Sequence, residues 1–187
     1  LDVAWHRSFT QQKPNPLNHY IGIKYHVKNV QEQHIIALHN FKNGYCGISQ
    51  IENNTHCLCY LTTAANLQQY GGNIQAMEQH VLYKNKHLQN IFEESTFLYD
   101  SPLSISQISF QPKTQIQNHV LMLGDAAGLI TPLCGNGMSM ALHASKIAFV
   151  LVNDFLRQKI SRYELEQHYQ TQWQQLFASR LRTGRMI

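Results

Sequence analysis

The sequence predicts an α+β chain: an antiparallel sheet with helices, then a return strand, a glycine-rich loop and two long helices. Three observations carry this. Alternating apolar and polar residues recur in four runs between His19 and Thr63, separated by short breaks that include Asn43-Gly44 and Asn53-Asn54. Apolar residues then recur at helical spacing, as Ile74, Met77, Val81 and Leu82, and as Leu88, Ile91 and Phe92. Finally, an apolar run from His119 to Leu123 meets Gly124-Asp125 and a loop carrying Gly128, Pro132, Gly135 and Gly137. A long apolar helix begins at about Met138.

Taken in order, Leu1 to Phe9 is expected to form a short helix, and Pro14 and Pro16 break the chain into a loop. From His19 to Val30 one side carries Ile21, Ile23, Tyr25 and Val27, the other Tyr20, Gly22, Lys24 and His26, as in a half-buried strand. His34–Phe41, Tyr45–Ile51 and Thr55–Thr63 follow as strands. Short connections between them imply an antiparallel meander. After the helical region, which Gly71-Gly72 interrupts, Thr96–Phe110 reads as one or two strands broken at Ser101-Pro102. QPKTQIQN is a turn, and His119–Leu123 a short buried strand. The helix after the loop is apolar nearly all round and is expected to be buried in a larger body. Ser161 followed by Glu164 forms a capping box for the last helix, whose face carries Leu165, Tyr169, Trp173, Leu176, Phe177 and Leu181.

Composition narrows the function classes. Hydrophobic residues make up 43% of the chain and charged ones only 14%, which points to a real core and to an additional buried interface. A formal charge of +4 without a dense basic stripe argues against nucleic-acid binding. Arg180, Arg182 and Arg185 instead suit a helix C-terminus. Cys57 and Cys59 alternate in a strand and face one way, so they are not a CxxC metal knuckle, and His56 faces the other way. Buried free thiols in a reducing cytoplasm are expected, and no metal site. No apolar run approaches the about 20 residues needed to span a bilayer, and no signal peptide is apparent.

Chemistry concentrates after the His119–Leu123 run. A carboxylate directly after a strand accepts hydrogen bonds from sugar-type hydroxyls, and free N–H groups at a helix start favour an electron-rich ligand atom. Gly124-Asp125-Ala126-Ala127, then Pro132, then Gly135-Asn136-Gly137-Met138 opening a helix, resembles the second FAD-binding motif of the flavoprotein monooxygenase and geranylgeranyl-reductase-like superfamily. Members share a fold like that of para-hydroxybenzoate hydroxylase. Order and spacing hold together over more than twenty residues, which a tight turn alone does not require.

The resemblance implies a fragment of an α/β FAD/NAD(P)-binding fold: residues 1–100 as a substrate-type domain and residues 101–187 as the C-terminal part of the FAD domain. Ser101-Pro102-Leu103 resembles the strand re-entering that domain. It implies that Gly124, Asp125, Ala126, Pro132, Gly135, Asn136, Gly137 and Met138 contact FAD, with Asp125 accepting from a ribityl hydroxyl. Gly135, Gly137 and Met138 would point N–H groups at the pyrimidine edge of the flavin. NAD(P)H is a candidate electron donor beside FAD, and the substrate is expected to be an apolar or aromatic small molecule.

Gly128 stands where many of the hydroxylases have His, which favours reduction or dehydrogenation over monooxygenation. The family's Gly-x-Gly-x-x-Gly segment is absent from the sequence. The expectation is therefore an excised middle and C-terminal portion that lacks an N-terminal part on the order of 150 residues. Such a fragment is expected to be inactive alone, to hold FAD weakly and to self-associate through exposed apolar surface. The rival reading is a non-catalytic small-molecule or protein-binding module. No catalytic side chain is assigned; His26, His39, Tyr25, Tyr45 and Cys59 are candidates for a substrate face, and Cys134 for a thiol near the flavin.

Overall fold

The computed structural model describes residues 19–29, 31–32 and 34–185. The helix expected over Leu1–Phe9 and the proline loop after it lie outside these residues. The chain divides into two compact units, and among the described residues the first ends at Ser109 and the second begins at Phe110.

Among the described residues the first unit is a six-stranded antiparallel sheet with three α-helices. Its strands are β1 (Tyr20–Lys28), β2 (Ile36–Phe41), β3 (Gly44–Gln50), β4 (His56–Thr63), β5 (Thr96–Phe97) and β6 (Leu103–Ile108). The order is β2-β3-β4-β1-β5, with β6 also on β1. Only β2, β3 and β4 form a meander. The expected pairing of β1 with β2 is not made; β1 pairs with β4, in the register Tyr20↔Thr63 to Val27↔His56. Burial explains the choice. β1 buries Ile21, Ile23 and Val27, whereas β2 has no fully buried residue and leaves Ile36 and Leu38 exposed. Each aliphatic side chain fully buried is worth about 1.5–3 kcal/mol, so the strand with three of them takes the centre and β2 the edge. Leu103, expected to lead back into the second domain, instead starts a strand paired to β1 at Lys24.

Helices α1 (Ala64–Gln69), α2 (Ile74–Val81) and α3 (Lys86–Glu94) follow β4. Asn73 and Asn85 cap α2 and α3, accepting from the N–H groups of Ala76 and His87 at 3.0 Å. Met77, Val81, Leu82, Leu88 and Phe92 join Ile21, Ile23, Val27, Cys46, Ile48, Leu58 and Tyr60 in one core. His56 shares this covered side and is buried. Cys57 and Cys59 alternate to the opposite side, away from the helix-covered core. Cys46 is therefore buried as expected, but Cys57 is half-buried and Cys59 exposed.

One carboxylate enters this core. Glu78 on α2 is 5% exposed, and its Oε1 accepts from the hydroxyls of Tyr25 and Tyr60, each at 2.7 Å. Burial holds its pKa above the ordinary carboxylate value, against the opposing effect of the two hydroxyl donors.

The second unit holds a hairpin, β7 (Ile116–Gln117) and β8 (Val120–Leu121), then helices α4 (Gly137–Leu156) and α5 (Arg162–Gly184). The expected buried strand over His119–Leu123 is thus two residues long, with Val120 37% and Leu123 40% exposed. Asn118 and His119, both at positive φ, make the hairpin turn. Among the described residues Val120–Leu121 pairs only with Ile116–Gln117. The core lies between α4 and α5, where Met140, Ala144, Ile147 and Leu151 meet Leu165, Tyr169, Trp173, Phe177 and Leu181. Burial around α4 was expected on all sides; only one face is covered, and Met138, Leu142 and Phe149 are exposed. The capping box forms as expected: the Ser161 hydroxyl accepts from the Glu164 N–H, and the Glu164 carboxylate accepts from the Ser161 N–H at 2.7 Å.

The buried Glu78 fixes a pH dependence. Its folded pKa lies above the unfolded one, so between the two values the native state binds more protons than the unfolded state. Stability is then full below the ordinary carboxylate pKa and declines as pH rises towards the raised one. Urea midpoints of the chain measured from pH 4 upward should fall over this window, and Glu78→Gln should flatten the fall. An unchanged slope in that variant would contradict the assignment.

Candidate functional site

Two short 3-10 turns and a helix start bring the motif residues together. Gly124–Ala126 form the first turn, Pro132–Cys134 the second, and Gly135 and Asn136 lead into α4 at Gly137. Pro132 opens its turn, where a fixed φ and a missing N–H carry no penalty. The first turn lies against the start of α4: a Cβ on Gly124 would sit 3.6 Å from the Ala141 Cβ. A cleft of about 240 Å³, open mouth included, lies here, lined by residues that include Gly124, Gly128, Gly137 and Ala141, with Trp173 contributed by α5. Asp125 is exposed at the same end of the unit.

The start of α4 has no side-chain cap. Asn136 makes no side-chain capping bond, and the first intrahelical bond is Met140 N–H to the Asn136 carbonyl at 3.0 Å. The N–H groups of Gly137, Met138 and Ser139 therefore lack an intrahelical acceptor, as at any helix start. Gly135 is left-handed at φ 65°, and among the described residues no atom beyond its chain neighbours lies within 4 Å of where a Cβ would stand. A flat ring can approach this backbone closely. The twenty-residue α4 adds its dipole, typically worth about 0.3–1 kcal/mol for a negative charge at the N-terminus. The residues thus fit the flavin end of FAD: a carboxylate for hydroxyls, bare backbone for a ring, and oriented N–H groups for an electron-rich edge.

Residues outside the motif hold the loop in place. The buried Gln115 amide donates to the carbonyls of Lys113 at 2.7 Å and Ala127 at 3.1 Å. The Lys113 ammonium donates to the Asp125 carbonyl at 2.8 Å. Burial pushes the Lys113 pKa down, and the Asp125 charge partly restores it. From α5, the Tyr169 hydroxyl donates to the Met122 carbonyl at 2.6 Å, and Arg185 Nε to the Phe110 carbonyl at 2.7 Å. The Thr131 hydroxyl donates to the Gly184 carbonyl. Sequence reasoning missed Lys113, Gln115, Thr131 and Tyr169 in these roles. Each contacts main chain, and such contacts leave no pattern in residue spacing.

Gly128 has a packing reason to be glycine. A Cβ there would lie 2.8 Å from Trp173 and 2.9 Å from Leu181. Cys134 is half-buried, its sulfur 3.4 Å from where a Cβ on Gly184 would stand, so it belongs to the packing against the end of α5. Of the other candidates, His26, Tyr45 and Cys59 lie on the open side of the sheet by strand alternation, whereas Tyr25 and His39 share the helix-covered side. Among the described residues no cluster of three or more His, Cys, Asp or Glu could hold a metal ion, and no helix is long and apolar enough to cross a membrane.

The chain is similar to known proteins in sequence and in fold. The family model of squalene epoxidase matches residues 4–179. An uncharacterized protein of Methanocaldococcus jannaschii is 31% identical over 101 residues, which are 54% of this chain and 25% of that protein. Among solved structures, the myxobacterial chondrochloren halogenase CndH, an FAD-dependent halogenase, superposes with a TM-score of 0.73 at 11% identity. The match covers 95% of this chain and 43% of that one. PqsL of Pseudomonas aeruginosa, a probable FAD-dependent monooxygenase, gives 0.58 at 13% identity, covering 94% and 49%. The fold is thus of the FAD monooxygenase type, and the chain spans about a quarter of the curated relative and under half of either solved structure.

The Gly128 packing is open to test. Gly128→Ala should destabilise the chain by about 1–3 kcal/mol, as overpacking does, and Trp173→Phe in the same background should recover part of the loss. Urea denaturation measures both; a Gly128→Ala midpoint equal to wild type would contradict the close approach.

Proposed function

The chain belongs to the squalene epoxidase family, and from that premise we propose that it contributes the flavin-proximal half of the FAD site of an FAD-dependent monooxygenase-type oxidoreductase. The observation that carries this is the α4 start, with free N–H groups under an unobstructed Gly135 and beside the Asp125 turn.

In this reading the Asp125 carboxylate accepts from a ribityl hydroxyl and orients the cofactor. Gly124 and Ala126 bring main chain close to it, and Pro132 shapes the chamber over the ring. Gly135, Asn136, Gly137 and Met138 present backbone to its pyrimidine edge. FAD when bound supplies the redox chemistry. The chain holds the ring, favours negative charge at the α4 end and excludes water from that side. Contacts to the ADP half come from residues outside this sequence, from an N-terminal part of the same protein. The exposed apolar side chains Leu123, Met138, Leu142 and Phe149 are surface for that part to cover, and a surface for self-association when it is missing.

The substrate in this reading is an apolar or aromatic small molecule. The open side of the sheet, with Leu38, Leu103 and Ile105 exposed, offers it an apolar platform. Monooxygenation is preferred to reduction, because Trp173 and Leu181 account for the glycine at 128 without reference to reaction type, and the family matched is an epoxidase family.

Two measurements test this. The complete gene product should purify with a flavin absorption spectrum, and Asp125→Ala should lower its flavin content; a folded product unable to take up FAD would overturn the reading. The 187-residue chain alone should bind FAD weakly, and micromolar or tighter affinity in a titration would contradict the division of the site.

A further inference from the structure

The open side of the sheet is not uniformly apolar. Directly paired residues line up there across five strands: Leu38 on β2, Gly47 on β3, Cys59 on β4, Lys24 on β1 and Leu103 on β6. A parallel row holds Ile36, Ser49, Cys57 and His26. Exposed aliphatic side chains thus stand at the ends of a strip whose middle is made of small residues. Four strand spacings of about 4.8 Å put Leu38 and Leu103 about 19 Å apart. The walls lean inward: a Cβ on Gly47 would lie 3.2 Å from Leu38, and one on Gly22 would lie 3.0 Å from Ile105.

Two basic side chains stand in this strip, Lys24 exposed and His26 half-buried. With Tyr99, Ser101 and Leu103 they line a shallow pocket of about 250 Å³, open mouth included. The Tyr99 ring lies beside that of His26, with centroids 5.8 Å apart. Among the described residues the Lys24 ammonium makes no ion pair. Asp100, between Tyr99 and Ser101 in the chain, does not line the pocket. A wholly apolar ligand laid on this strip would strip water from the ammonium and give nothing back, which is costly. A ligand with a carboxylate at that point would accept from the ammonium instead, and the Ser101 hydroxyl and a His26 ring nitrogen are further donors at the same place. Charge and shape together therefore suit a molecule apolar along its body and negative at one end.

We propose that the strip binds a hydrophobic carboxylate, with its charged end at Lys24, beside His26 and Ser101, and its apolar body laid over Cys59 and Gly47 towards Leu38. The span from β1 to β2 is three strand spacings, about 14 Å, which an alkyl chain of about ten carbons or a fused pair of aromatic rings can occupy. Calling this ligand the substrate rests on the flavin reading; its binding does not. The negative group adds a requirement that an apolar or aromatic body alone does not carry.

The test is isothermal titration of the complete gene product with decanoate and with 2-naphthoate, each compared with its primary amide. At least one acid should bind about fivefold more tightly than its amide, as a partly exposed ion pair gives, and added salt should shrink the difference. Lys24→Gln should abolish the preference, so that acid and amide bind alike, and Lys24→Arg should keep it. Leu103→Ser should weaken acid and amide together and leave their ratio unchanged. Flavin content, read by absorption on the same protein, reports the flavin reading separately. A flavin-free product that shows the preference still supports the site. A flavin-loaded product that binds neither acid, or that binds acid and amide equally, would overturn this proposal alone, as would a preference that survives in Lys24→Gln.

Discussion

The motif loop packs against α5 at the close approach of Gly128 to Trp173 and Leu181, and hydrogen bonds to its main chain from Lys113, Gln115 and Tyr169 add to that contact. With the loop backbone pressed onto α5, Gln115 can span from Lys113 to Ala127, and the Tyr169 hydroxyl can reach the Met122 carbonyl. The Gly124–Ala126 turn then lies against Ala141 on α4. The motif residues thus stand on two short turns and the start of α4, and their loop is fixed by contacts to main chain. A site meant to orient a flat cofactor needs this kind of rigid support.

The two sides of the sheet show a different division. Helices α1 to α3 cover one side, and the covered polar group Glu78 finds partners in Tyr25 and Tyr60. The other side keeps exposed aliphatic side chains beside Lys24, His26 and two thiols. Apolar surface left exposed over such an area asks for an occupant, and within the flavin reading that occupant is substrate. The same openness leaves Cys57 and Cys59 accessible.

Much of the fold was legible in the sequence, because its signals are local. Alternation placed β1 to β4, the Asn43-Gly44 turn joined β2 to β3, and Ser161 with Glu164 marked the start of α5. Strand order was not legible: it follows from which strand buries Ile21, Ile23 and Val27, a competition between distant segments. The apolar character of Val120–Leu123 and α4 was read correctly, but its burial was not, since burial needs neighbours that the described residues do not supply. The motif order from Gly124 to Met138 was visible and the structure brings those residues together. The purpose of Gly128 was not, because Trp173, forty-five residues later in the chain, supplies the reason for it.

The central claim is that the α4 start and the Asp125 turn face the flavin. Hydrogen–deuterium exchange on the complete gene product, with and without FAD, tests it most directly. The account predicts slowed exchange at the N–H groups of Gly137, Met138 and Ser139 and around Gly124–Ala126 when FAD is added. FAD binding that leaves these amides unchanged while protecting others would contradict it.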